Sequence, residues 1–198
     1  DPQQEAAGKA VPPDMRNDCL RRVIPAMTAV LVAMTAALAA AYGQTQAAWM
    51  LTAAISFGTT GYHFLMRLLV GGATRAIFRN RPLWEKPWFR PRNWEAGFYR
   101  FLRVRRWKDK MPTYRPEEFA VSGNSLEAVT QAGCIAELGH EVIILLSFAP
   151  LLTVPAFGAA GVFWTTSLLA ALVDSVFVVM QRYNRPRFLR VLEKERGR

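Results

Sequence analysis

The stretch Ile135-Ala136-Glu137-Leu138-Gly139-His140-Glu141-Val142-Ile143-Ile144-Leu145-Leu146 decides how this chain is read. Apolar residues surround three ionisable groups. Glu137, His140 and Glu141 stand at i, i+3 and i+4, so a helix places them on one face about a turn long. An ionisable group at bilayer depth costs on the order of 3 kcal/mol by insertion scales, so such groups face a protein interior and mark a functional site. The stretch predicts a membrane-embedded helix with a titratable inner face.

The composition agrees with that reading. Of 198 residues, 52% are hydrophobic, yet the formal charge is +10 and the pI near 10.3. Charge and apolar surface are segregated along the chain, as in membrane spans joined by cytoplasmic loops, whereas a basic nucleic-acid-binding domain mixes the two. Cys19 and Cys134 are the whole cysteine content, which excludes a disulfide framework and a cysteine-rich zinc site.

Working outward, the sequence predicts an all-α integral membrane protein with four spans at about 23–42, 47–70, 132–153 and 157–180. Residues 1–22 read as a flexible cytoplasmic tail, residues 23–192 as one membrane domain, and residues 193–198 as a basic tail. Leu38-Ala39-Ala40-Ala41 also resembles the small-residue cleavage site of a secretory signal, an alternative for the first apolar stretch. Asn124 and Glu127 have capping-box-like spacing at the start of the third helix. The turns near 43–47 and 153–157 carry no Lys or Arg, while the N-terminus, the middle segment and the C-terminus hold nearly all of them. The positive-inside rule therefore puts both termini in the cytoplasm, at the cell membrane.

Between the second and third spans, residues 73–115 interleave thirteen Lys or Arg with Trp84, Trp88, Trp94 and Trp107. Amphipathic rings and cations suit the headgroup region, so this segment is expected to lie on the membrane and contact its lipids. Pro82, Pro87 and Pro91 forbid continuous helix before Asn93, which can cap a helix over Trp94 to about Trp107. The same interleaving occurs in single-strand binders, but its place between spans argues against a nucleic-acid partner.

Counting back from the basic boundaries at about 1.5 Å per residue puts His63, Asp174 and the Glu137–Glu141 face roughly 10 Å below the cytoplasmic interface. Arg67 stands one turn from His63. Ionisable groups from three spans at one level predict a polar pocket open to the cytoplasmic leaflet, and structural ion pairs such as Arg67 with Glu141 or Asp174 are the alternative. No Gly-rich phosphate loop, G-x-S-x-G elbow or H-E-x-x-H is present; Ile144 and Leu145 stand where the second His of the last would be needed. Glu137-x-x-His140 matches half of a di-metal carboxylate site, with Glu141, Asp174 and His63 as the remaining candidates, so no metal is assigned. A general base is the better use: His140, oriented by Glu137, takes a hydroxyl proton while nearby arginines bind an anionic donor. Cys134 reads as a packing residue.

The motifs Trp88-Phe89-Arg90-x-Arg92-x-Trp94-Glu95, Phe98-Tyr99, Arg106-Trp107-Lys108-Asp109-Lys110-x-Pro112, Ala136-Glu137-Leu138-x-His140 and Gln181-Arg182-Tyr183-Asn184-Arg185-Pro186-Arg187, in this order, resemble the glycosyl-4,4'-diaponeurosporenoate acyltransferases. The likeness spans roughly residues 80 to 192, and Ile135, Glu141 and Asp174 depart from the family pattern. The resemblance implies transfer of a fatty acyl chain to a sugar hydroxyl of a glycosylated carotenoid, the last step toward a staphyloxanthin-type pigment. It implies acyl-CoA or acyl carrier protein as donor and no required cofactor, with an amphiphilic glycolipid or glycosyl-carotenoid acceptor. His140 and Glu137 become the catalytic pair. Arg182, Asn184 and Arg185 would bind the phosphate or pantetheine side of the donor, with Arg67, Lys108 and Lys110 assisting, and His63, Trp94, Trp107, Glu141, Asp174 and Gln181 complete the expected substrate site. An intramembrane metalloenzyme acting on a lipid and a non-catalytic lipid-binding scaffold are the rival readings, and the oligomeric state stays open.

Overall fold

The computed structural model describes residues 15–197, so residues 1–14 of the tail expected over 1–22 lie outside the described residues. Every regular element there is helical. Helices α1 (Met15–Thr45) and α2 (Ala48–Phe78) form an antiparallel hairpin, turned at Gln46 with φ 55°. Small residues allow the two to approach. A Cβ on Gly58 would stand 3.1 Å from Thr35 Cγ2, and one on Gly61 would stand 3.3 Å from Leu31 Cβ, the small-residue contact typical of helices in lipid.

After α2 the prolines break the chain into 3₁₀ turns at Leu83–Glu85 and Pro87–Phe89. Two short helices follow, α3 (Glu95–Phe101) and α4 (Val104–Trp107). The single helix expected over 94–107 is therefore divided, because Arg103 takes a left-handed conformation with φ 50° between the two pieces. Asn93 does not cap it; the N-cap is Trp94, with no side-chain cap. A turn at Lys108–Lys110 leads to α5 (Pro116–Phe119) and α6 (Leu126–Leu146). Ser125 caps α6 by accepting from the Ala128 N–H at 3.2 Å, while Asn124 donates to the carbonyls of Glu117 and Ala120. The capping-box pair expected at Asn124 and Glu127 is thus replaced by a serine cap one residue later.

Beyond α6, a 3₁₀ turn at Ala149–Thr153 and α7 (Val154–Phe157) reverse the chain, and α8 (Ala160–Arg196) returns along α6. Among the described residues, three stretches are long and apolar enough to cross a membrane: Leu20–Thr45, Leu126–Phe157 and Ala160–Arg196. The predicted span at 47–70 lies within α2 from Ala48 on, with Ala47 as its extended N-cap. It is more polar, with Thr52, Ser56, Thr59 and Thr60 each returning its hydroxyl to the carbonyl one turn back.

Two boundaries move outward. Helix α1 begins at Met15, inside the segment expected to be flexible, and α8 runs on through the expected basic tail to Arg196. The continuation has a packing cause: Leu192 is buried, and Arg196 donates to Glu127 at 2.7 Å. Gln131 of α6 fastens the loop after α2. Its Oε1 accepts from the Leu83 N–H at 3.0 Å and its Nε2 donates to the carbonyls of Phe78 and Arg81. Leu83 and Phe89 then pack on Cys134, which confirms that thiol as a buried packing residue.

Candidate active site

Glu137, His140 and Glu141 of α6 share a face but not a partner. Glu137 is fully buried and points at α8, where its Oε1 accepts from Arg182 at 2.9 Å and its Oε2 meets Arg185. His140, a turn later, presents Nδ1 to Asp174 Oδ1 at 2.7 Å. Glu141 turns outward and accepts from Trp88 Nε1 at 2.8 Å. The orienter of His140 is therefore Asp174, and the expected Glu137–His140 pair is corrected. Antiparallel packing explains the split, since α8 offers Asp174 at one level of α6 and Arg182 and Arg185 about two and three turns away along its own axis.

Asp174 is buried and holds two groups. Its other oxygen pairs with Arg67 of α2, whose guanidinium also donates to the His63 carbonyl at 2.9 Å and the Ala170 carbonyl at 3.2 Å. A buried carboxylate needs such compensation, and an arginine supplies it with fixed geometry. The His140 ring stacks on Phe177, with centroids 4.8 Å apart and planes 8° from parallel. Ring orientation is thus set by one hydrogen bond and one stacking face. With Nδ1–H donating to Asp174, Nε2 keeps a lone pair and no protein partner among the described residues, the state a general base needs.

His140, Asp174 and Arg67 line one cavity of about 420 Å³. Its walls are largely apolar, including Ile24, Phe64, Leu68, Ile135 and Phe177, and its lining also includes Arg75, Arg115 and Glu118. Gln181 reaches this lining as well. The contribution of α1 and α2 was expected only through His63 and Arg67; Arg75 and Arg115 had no motif to single them out from the many neighbouring cations.

Other expected site residues are engaged elsewhere. Arg182 donates from Nε and Nη2 to Glu95 Oε1 at 3.0 and 2.6 Å, and Arg185 donates to the Phe89 carbonyl at 3.0 Å while covering the Phe89 ring. Two carboxylates and two guanidiniums so form one buried, balanced network joining α3, α6 and α8. Both guanidiniums are engaged by protein partners here, although they were expected to hold a donor phosphate. Tyr99 donates to Glu95 Oε2 at 3.0 Å, and burial, helped by that carboxylate, pushes its phenol up to about 12. Asn184 borders a separate pocket of about 150 Å³. His63 is buried with its ring nitrogens unpartnered, set edge-on to Tyr62 at 5.4 Å, so only its carbonyl serves the site. Trp94 is exposed and packs on Phe98, Trp107 Nε1 donates to the Leu102 carbonyl, and Lys108 pairs with Asp109. None of these three lines the cavity.

No three His, Cys, Asp or Glu side chains converge as a metal site among the described residues. The half-motif Glu137-x-x-His140 fails as a ligand set because its members bond to different groups. The sequence model of the glycosyl-4,4'-diaponeurosporenoate acyltransferase family matches residues 85–194, more than half of the chain. No curated protein and no solved structure matches.

Proposed function

Because the chain belongs to the glycosyl-4,4'-diaponeurosporenoate acyltransferase family and is accordingly an acyltransferase of carotenoid biosynthesis, we propose that it moves a fatty acyl chain from an acyl-CoA or acyl carrier protein thioester to a hydroxyl of a glycosylated carotenoid or related glycolipid. His140 Nε2 takes the hydroxyl proton as the oxygen attacks the thioester carbonyl. The tetrahedral intermediate collapses, the C–S bond breaks, and the leaving thiolate recovers the proton from His140. Asp174 keeps Nδ1–H in place and stabilises the imidazolium, and Arg67 balances Asp174 when the imidazole is neutral.

The observation that carries this reading is the His140–Asp174 pair in the wall of an apolar cavity that also has basic lining. An acyl chain suits the walls and an anionic donor suits the cations. The test is acyl transfer in membranes supplied with labelled acyl-CoA and a glycosylated carotenoid. Wild type forms the ester and His140→Ala loses it; full transfer by His140→Ala overturns the assignment.

The same proposal has α2 crossing the bilayer as a fourth span, with the termini, the Trp-rich segment and the chemistry on the cytoplasmic side. Exposed Trp88, Trp94, Phe98 and Phe101 give that segment an apolar surface for the headgroup boundary. In a background with Cys19→Ser and Cys134→Ser, Gln46→Cys is expected to react with an impermeant thiol reagent added outside cells and Arg100→Cys is not. The reverse pattern inverts the topology.

A further inference from the structure

The cavity carries a second cluster of charge. Arg75, in the last turn of α2, and Arg115, just before α5, both reach Glu118 Oε1, Arg115 at 3.5 Å. All three line the cavity that holds His140. Two guanidiniums sharing one carboxylate leave an excess positive charge at the lining. The arginines are each about one-third exposed, 34% and 40%, so they remain reachable by a ligand. Glu117 beside them is tied to Arg21 of α1 at 3.0 Å, so α5 is held against both α1 and α2.

We propose that Arg75 and Arg115 form a phosphate-binding site for the phosphopantetheine of the acyl donor, with Glu118 holding the two guanidiniums in place until a phosphate displaces it. This rests on the acyl-transfer reading above. Guanidinium pairs bind phosphoryl oxygens through short, charge-assisted hydrogen bonds, and a carboxylate between them mimics that anion. The spacing also fits. Arg75 stands about 12 Å along α2 from Arg67, the partner of Asp174, a distance within reach of a phosphopantetheine arm whose thioester lies at His140. The cavity between the two ends then takes the pantetheine arm, and the acyl chain runs on from the thioester along the apolar walls. Neither Arg75 nor α2 falls within the residues matched by the family model, so the site uses a part of the chain beyond 85–194.

The test is binding of desulfo-CoA, which carries the phosphates without a reactive thiol, to the purified full chain in nanodiscs of neutral phosphatidylcholine. Wild type is expected to bind. Arg75→Gln and Arg115→Gln each weaken binding about tenfold, the loss of one charge-assisted contact. Arg75→Lys recovers part of the loss, and Glu118→Gln tightens binding because a competing carboxylate is gone. Unchanged affinity in both arginine variants overturns the site, as does weaker binding in Glu118→Gln. A parallel series in nanodiscs containing phosphatidylglycerol separates the two sources of phosphate. If that lipid competes with desulfo-CoA only when Arg75 and Arg115 are intact, the site takes phosphate from either source and its assignment to the donor falls. Acyl transfer on the same preparations tells the readings apart: transfer that survives with no dependence on Arg75 or Arg115 rejects this site alone, whereas absent transfer with intact binding rejects the acyl-transfer reading.

Discussion

His140 Nδ1 and Asp174 Oδ1 meet at 2.7 Å across the antiparallel contact of α6 and α8, with Arg67 of α2 on the far oxygen of the same carboxylate. Three helices therefore converge on one buried acid. In the proposed reaction this arrangement leaves His140 Nε2 for the hydroxyl proton, with Asp174 as a positioning residue that acts through His140.

His140→Gln is expected to lower kcat for acyl transfer by about 10²- to 10⁴-fold, the usual contribution of a general base, with KM little changed. Asp174→Asn lowers kcat too, and it also destabilises the fold because Arg67 loses its buried counter-charge. Steady-state kinetics with thermal unfolding in detergent separate the two. Equal loss of stability in both variants contradicts the assigned roles.

Glu137 belongs to the framework. Glu137→Ala leaves Arg185 buried beside an emptied space, with an expected cost of about 3–5 kcal/mol and poor accumulation in membranes. Replacing both partners, Glu137→Leu with Arg185→Leu, removes one charge of each sign and leaves Arg182 with Glu95. Recovery of accumulation in the double variant is the expected result, read by fluorescence-detected gel filtration.

Gly139 sets the distance between α6 and α2 beside His140. A Cβ there would stand 3.3 Å from Thr74 Oγ1, which is itself bonded to the Val70 carbonyl at 2.8 Å. Gly139→Ala is expected to cost about 1–3 kcal/mol by overpacking. Thr74→Ala removes the obstructing oxygen, so the double variant recovers part of the loss, and a double-mutant cycle on unfolding midpoints measures it.

Tyr99 gives a pH signature. Its folded pKa, about 12, lies above the ordinary value of 10, so the phenol favours folding while protonated. That contribution is complete below pH 10 and is lost as the pH rises through 12. The difference between wild type and Tyr99→Phe in tyrosinate absorbance should titrate near pH 12, and a midpoint near 10 contradicts the buried Tyr99–Glu95 bond.

Depth counting along the chain brought His140 and Asp174 to one level with Arg67 a turn from it, and both His140 and Arg67 reach Asp174. It also brought His63 there, whose ring reaches no partner, because equal depth says nothing of which way a side chain turns. Periodicity put Glu137, His140 and Glu141 on one face, yet that face borders α8 on one side and the Trp88 turn on the other. Its members divide accordingly. Pairing across helices has no period in the sequence. The break at Arg103 was hidden for another reason: its left-handed backbone arises at a non-glycine residue, where composition carries no signal. The cations lining the cavity were lost among similar neighbours, and only the fold distinguishes Arg75 and Arg115 from the rest.

The buried network of Glu95, Glu137, Arg182 and Arg185 bears on how the protein is made. Glu137 leaves the ribosome 45 residues before Arg182. Helix α6 thus reaches the translocon with an uncompensated carboxyl, and its counter-ions arrive only with α8. Release of α6 into lipid before α8 has been synthesised would strand that acid among acyl chains. The order of synthesis makes these two helices partners in a single insertion event.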